Sequence, residues 1–360
     1  MPPEEAPIHP KATMRAAEQG RGPVRRRPVL VWLAALCVVC ASLWGALLLW
    51  FQGPGTDGLR IALAAAWCLL GLGAAVCLAG RGPRLPALAW LLCLLALVGG
   101  WSTLRPSHER DWADDVAQLL QAEIDGNRLT LRNVRNFDWH SEDDYTVRWE
   151  TREYDLDRLA DADLVLSYWM GPHIAHTLVS FGFDDGRRLV FSLEIRKERV
   201  EAFSALGGFF REFESVLIAA DENDIVRTRS NARGEDVYLY RLDVPRAALR
   251  QLFLGYLDEA RRIRDRPRFY NTLTSNCTTV VFDLARQVSP GLPLDYRLLL
   301  SGHFAEYVGE RGGLLPGYGY PELQRAGRIS ERARAFDGPP QDFPHAIRAG
   351  MPLTARNAPP

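Results

Sequence analysis

Three uncharged apolar stretches, Val29–Phe51, Ile61–Ala79 and Leu85–Trp101, follow one another within the first 104 of 360 residues. A helix needs about 20 such residues to cross the roughly 30 Å hydrocarbon layer of a bilayer. The first two stretches have that length, and the third reaches it when extended through Ser102, Thr103 and Leu104. A cleaved signal peptide fits poorly, because its apolar core runs only about 7–15 residues and here two further spans follow. Three transmembrane helices are therefore expected.

Cationic residues set the orientation, since they concentrate in cytoplasmic loops. Lys11, Arg15, Arg21, Arg25, Arg26 and Arg27 precede the first stretch, and Arg81 and Arg84 join the second to the third. The link Gln52–Arg60 carries only Asp57 and the terminal Arg60. The N-terminus and the second link thus belong in the cytoplasm, and three crossings put everything after Leu104 outside. The chain divides into a disordered cytoplasmic leader (1–28), a three-span anchor (29–104), a folded domain (105–330) and a poorly ordered Pro/Ala/Arg-rich tail (331–360).

Basic and acidic side chains nearly balance, 43 against 44, and residues 1–104 hold nine of the former and four of the latter. The remainder is mildly acidic, which argues against a nucleic-acid binder held by bulk charge. It is also long enough to bury one sizeable core. Five of the six cysteines lie in the apolar stretches, so Cys277 is the one thiol of the soluble part.

Hydrophobic spacing predicts an amphipathic helix over Asp111–Ile124, ended by Asp125-Gly126-Asn127. Strands are expected at Leu129–Val134, Leu164–Trp169, Ala175–Phe183, Arg188–Arg196, Val216–Ala220, Asp224–Arg229 and Val237–Leu242, with turns at Asp184-Asp185-Gly186 and Asn231–Gly234. Helices follow from Pro245 to about Arg264, from Cys277 to about Val288, and over Leu298–Glu310. Strands followed by helices indicate an α+β domain with an antiparallel sheet and packed helices.

The segment Tyr270–Phe282 passes from polar turn residues into an apolar helix, with Asn276 or Ser275 as its N-cap. That puts Cys277 in the first helical turn, where free N–H groups and the positive dipole end stabilise a thiolate and can hold an oxyanion. Asn276 and Tyr270 flank it as candidate substrate-binding or oxyanion residues. A nucleophilic cysteine needs a nearby imidazole. His176 is the choice, because it opens a run apolar on both faces, where a ring is held rigidly. If Asp184-Asp185-Gly186 is a three-residue loop, paired positions across the hairpin sum to 370 and Glu194 faces His176, ready to orient its ring. Against this stand bland alternatives: a small buried cysteine, a satisfied core histidine, and a Glu194 paired with Arg196 or Arg187. Zinc on His173, His176 and Cys277 is disfavoured by the spacing, since strand positions three apart point to opposite faces. No metal and no cofactor are expected.

Several blocks then combine: Asn136-Phe137-Asp138-Trp139, Leu166-Ser167-Tyr168-Trp169, Ile174–Phe181, Phe191–Glu198, Ala205–Phe210, Asp236–Tyr240 and Asn276-Cys277-Thr278-Thr279. Together, over roughly 130–300, they resemble the Lnb-type periplasmic domain, named for bacterial lipoprotein intramolecular transacylases. Such proteins look like permuted relatives of the papain and NlpC/P60 thiol enzymes, with the histidine strand ahead of the cysteine helix. The resemblance implies Cys277 as nucleophile, His176 as base and Glu194 as third member. It also implies a bacterial inner membrane, with the soluble domain periplasmic. A membrane-anchored thiol acyltransferase or hydrolase is the expectation, acting on a membrane lipid or lipoprotein. The alternatives are a cell-wall peptide amidase or peptidase, and a non-catalytic envelope scaffold or sensor.

Overall fold

The computed structural model describes residues 27–80 and 82–352, in two compact units divided after Ser102. Of the expected leader, only Arg27 and Pro28 fall among the described residues, where they begin the first helix.

The first unit holds three helices, α1 (Arg27–Gln52), α2 (Asp57–Gly80) and α3 (Leu85–Thr103), each long and apolar enough to cross a membrane. Small residues let them approach closely. A Cβ on Gly45 would meet the Trp67 indole at 2.5 Å. The Trp67 indole N–H donates to the Ser42 carbonyl at 2.8 Å, and that of Trp90 to the Ser42 hydroxyl at 3.0 Å.

The second unit is an α+β domain built on one sheet. Its strands are β1 (Gln121–Asp125), β2 (Arg128–Arg135), β5 (Trp149–Asp155), β6 (Leu159–Met170), β7 (Ile174–Phe183), β8 (Arg188–Arg196), β9 (Glu214–Ala220) and β10 (Asp236–Arg241), while β3 (Asp138–Trp139) and β4 (Tyr145–Thr146) form a separate ribbon. The order is β1-β2-β9-β8-β7-β6-β10, with β5 also on β2. All pairs are antiparallel except β2 with β9. The β7–β8 hairpin has the expected register: Gly182 faces Arg188 and Val179 faces Phe191. Its loop closes through Phe183 N–H to the Arg187 carbonyl at 3.0 Å, with Gly186 at φ +84° where L side chains are strained.

Both faces of the central strands are buried, so each needs its own cover. Helices α5 (Arg246–Asp265), α6 (Cys277–Val288) and α7 (Phe304–Glu310) cover one face, where Phe181 and Phe191 pack on Phe253 and Tyr256. The other face holds Val165, Leu178, Val190 and Ile218, packed with Ile225, Ile329, Phe343 and Ile347. These come from α4 (Glu222–Arg227) and from the segment bearing α9 (Ser330–Ala335) and α10 (Phe343–Ala346), beyond α8 (Tyr320–Gly327).

That second layer corrects two expectations. Residues 331–352 are not a loose tail, since Phe343 and Ile347 are fully buried and Arg348 bonds Asp163 and Glu222. Asp224–Arg229 is not a strand: Ile225 and Val226 enter the second core from a helix, and the chain continues as a π-turn over Thr228–Ala232. Two further corrections are local. Asp125-Gly126-Asn127 ends no helix; Gly126, at φ +60°, and Asn127 form the two-residue loop pairing Asp125 with Arg128, so Gln121–Asp125 is a strand. Only Asp114–Val116 is helical nearby, as one 3₁₀ turn. The helix expected from Leu298 starts at Phe304, because Gly302 is drawn against the backbone of Pro172 and His173.

Candidate functional site

Helix α6 begins at Cys277 because Asn276 caps it. The Asn276 Oδ1 accepts from the N–H groups of Thr278 and Thr279, both at 2.9 Å, and Thr279 Oγ1 accepts from the Asn276 N–H at 2.8 Å. The Asn276 side-chain amide donates to the Thr272 carbonyl at 2.7 Å. Its side chain therefore holds the turn that carries the cysteine, which is a different task from the oxyanion contact anticipated for it.

Strand β7 brings His176 to the cysteine. One residue on, Thr177 Oγ1 and Thr278 Oγ1 hydrogen-bond at 2.8 Å in the buried contact between strand and helix. Cys277, whose sulfur lies 3.9 Å from Thr278 Oγ1, is thereby brought beside the His176 ring and the Thr177 N–H, both of which favour its thiolate. The far ring nitrogen, Nε2, lies 2.7 Å from Ser192 Oγ and 3.2 Å from Glu194 Oε1. The Ser192 hydroxyl donates to the same Glu194 oxygen at 2.7 Å, and Arg229 donates to it at 2.8 Å. With Nε2 so held, Nδ1 is the nitrogen left for the sulfur.

The electrostatics follow from this packing. Burial raises the Cys277 pKa, but the His176 charge and hydrogen bond, aided by the Thr177 N–H and the Thr278 hydroxyl, bring it down to about 7. For His176, burial and the Arg229 charge push downward, and Glu194 and the thiolate outweigh them, raising it to about 9. Burial also disfavours the Glu194 carboxylate, yet His176, Arg229 and Ser192 hold it well below its ordinary value. A thiolate–imidazolium pair is the state this environment favours at neutral pH.

Tyr270 lines the cleft together with Cys277, and burial together with the thiolate charge holds its pKa well above the usual one. Cys277, His176, Glu194, Arg229, Tyr270 and Asn276 line a cleft of about 510 Å3, whose walls add Trp169, Phe203 and Leu299. Gly208 packs tightly on Thr272, where a Cβ would meet the hydroxyl at 2.4 Å; this ties the 200–209 segment to the cysteine turn.

Sequence reasoning singled out Cys277, His176, Glu194, Asn276 and Tyr270, and all five line the one cleft. It missed Ser192 and Arg229. Ser192 was discoverable as a polar residue two positions before Glu194, hence on the same strand face. Arg229 was hidden by the misread strand. The partners anticipated for Glu194 are otherwise engaged: Arg196 donates to the Val116 and Ala117 carbonyls, and Arg187 to Asp185 and the Glu153 carbonyl. His173 pairs instead with His303, at 2.8 Å between ring nitrogens. Among the described residues, no group of three His, Cys, Asp or Glu side chains is arranged to hold a metal ion.

Three helices long and apolar enough to cross a membrane, followed by an α+β domain, are the plan of a membrane-anchored protein. Residues 145–302 match the family model of the Lnb N-terminal periplasmic domain, a stretch that contains every group of the cleft named above. Neither the curated proteins nor the solved structures give a match.

Proposed function

We propose that the protein is an outward-facing thiol acyltransferase or hydrolase of the inner membrane. The observation that carries this reading is the Cys277 thiol at the start of α6, sharing one cleft with an imidazole, His176, that is itself held by Ser192 and Glu194. The Cys277 thiolate attacks an ester or amide carbonyl carbon, forming a C–S bond. The carbonyl electron pair moves onto oxygen, where the Cys277 N–H and the Tyr270 O–H are the available donors. His176 then gives its proton to the departing oxygen or nitrogen as that bond breaks, leaving a thioester. An amine or water takes the acyl group, with His176 accepting the incoming proton. Arg229 acts through Glu194, Ser192 holds both the ring and Glu194, and both are positioning residues.

The apolar cleft wall and the membrane anchor favour a lipid or lipoprotein as acyl donor. The test is mass spectrometry of the full-length chain, isolated from its own membranes after rapid acid quenching. A fatty acyl thioester at Cys277, absent from Cys277→Ser and labile to hydroxylamine, is the expected result. A peptidyl adduct would move the assignment to cell-wall peptides. A folded protein with no adduct under any quench, and with Cys277 no more reactive than a simple thiol, would leave a scaffold.

A further inference from the structure

The soluble unit exposes large apolar side chains in an uneven way. Among the described residues, all of them except Ile124, Val147 and Tyr318 fall in four short segments: 169–170, 200–209, 273 and 294–300. Phe203, Leu206 and Leu299 are each more than half exposed, at 55, 54 and 54 %. Each segment borders the cleft, through Trp169, Phe203, Thr272 and Leu299 in its lining. Trp169 and Phe203 meet edge to face at 5.0 Å across two of them. Scattered single apolar residues are normal on a protein surface, but a concentration around one opening marks an interaction surface.

What covers it is indicated by where the chain comes from. Residues 107–113 are fastened to the two ends of the 200–209 segment. The Ser107 N–H donates to Glu214 at 3.1 Å, and Arg110 bonds both Glu198, at 2.8 Å, and Glu214, at 3.0 Å. The Ala113 N–H donates to the Lys197 carbonyl at 3.0 Å, and the Arg199 N–H to the Asp111 carbonyl at 2.7 Å. Ser107 follows the last residue of the third membrane-length helix by four positions, a tether of at most about 14 Å. The loop carrying Val200, Phe203, Leu206 and Phe209 is therefore fastened, within the domain, to the stretch of chain that leads in from the last membrane-length helix.

We propose that the apolar rim of the cleft docks on the outer leaflet of the bilayer that anchors the chain, with Phe203, Leu206 and Leu299 in the headgroup–acyl boundary. Aromatic and aliphatic side chains on a tethered domain partition there without any further receptor. The cleft then opens onto lipid, and an acyl group reaches Cys277 without crossing water. The inference rests on the membrane-anchored reading above and not on the thiol chemistry.

The test uses the full chain carrying Cys277→Ala, so that no acyl intermediate contributes. Phe203, Leu206 and Leu299 are replaced one at a time by p-benzoylphenylalanine, with Val147 and Tyr318 as exposed apolar controls. Each protein is reconstituted in vesicles of phosphatidylethanolamine and phosphatidylglycerol with radiolabelled acyl chains, then irradiated. Flotation with the vesicles reads the anchor; covalent lipid label reads the rim. Lipid label at least tenfold above the controls at all three rim positions is expected. Equal labelling everywhere, no label at the rim in a floating protein, or a cross-linked dimer in place of lipid would each overturn the proposal. Failure to float would instead overturn the anchor.

Discussion

Thr177 and Thr278 share a buried 2.8 Å hydrogen bond, and each directly follows one member of the imidazole–thiol pair. A strand and a helix about a hundred residues apart in sequence are thereby locked together one residue beyond the chemistry. Replacing Thr177 by Val leaves the Thr278 hydroxyl without this partner, and an unsatisfied buried hydroxyl costs about 1–3 kcal/mol. The Thr177→Val/Thr278→Val double variant should lose less than the sum of the single variants, because neither hydroxyl is then stranded. Denaturant titrations of the four proteins in detergent provide the cycle. Additive losses would mean that the two threonines do not act as a pair.

The ionic pair sets a pH window. Deprotonation of Cys277 at about 7 creates the thiolate, and loss of the His176 proton at about 9 removes the acid. Turnover should therefore rise through about 7 and fall through about 9. The same acidic limb should appear in the rate of Cys277 alkylation by iodoacetamide, read on its own peptide by mass spectrometry. In Glu194→Gln the alkaline limb should move toward neutrality, because the carboxylate that raises the His176 pKa is gone while Arg229 still opposes the imidazolium. An unmoved limb would show that Glu194 is electrostatically idle.

Removal of either reacting group should abolish turnover. Cys277→Ala and His176→Ala each lose essentially all activity, and the double variant is no worse, since the two act as one unit. Ser192→Ala should retain more, a loss of roughly tenfold to a hundredfold, because the direct 3.2 Å contact from His176 to Glu194 survives. Circular dichroism and melting curves separate loss of chemistry from loss of fold.

The second layer makes a stability prediction far from the cleft. Phe343 is fully buried between the sheet and Phe336. Phe343→Ala should cost about 3–5 kcal/mol by the lost contacts and the cavity left behind. A chain that melts unchanged would show that residues 330–352 contribute little to the domain.

Arginine asymmetry predicts the topology. A reporter fused after residue 330 should be active only in its periplasmic format, and one fused ahead of Arg25 only in its cytosolic format. The reverse pattern would put the cleft on the wrong side for an envelope substrate.

Much of the site could be read from the chain. The β7–β8 register follows from Asp184-Asp185-Gly186 alone, because a three-residue loop fixes the parity of every pair above it and so brings Glu194 toward His176. The change from polar to apolar residues at Asn276-Cys277 marks a helix start, and the cap bonds are those its residues allow. Arg229 was not legible, because the β-branched Ile225, Val226 and Thr228 read as a strand, while Ile225 and Val226 reach the core from a helix. Nor was the last layer. Its segment has few apolar residues, yet Ile329, Phe343 and Ile347 are all fully buried. The warning lay elsewhere, in strands apolar on both faces, which require a cover on each side.

That two-sided sheet also imposes an order of events. A polypeptide is made from its N-terminus, so every strand from β1 to β10 exists before Ile329, Phe343 and Ile347 do. Until they arrive, Val165, Leu178, Val190 and Ile218 have no complete cover. Arg348, which bonds Asp163 and Glu222, is later still in the chain. Maturation of the domain is therefore gated by residues 329–348, and a newborn molecule stopped short of them presents a bare sheet face to whatever chaperone or neighbour it meets.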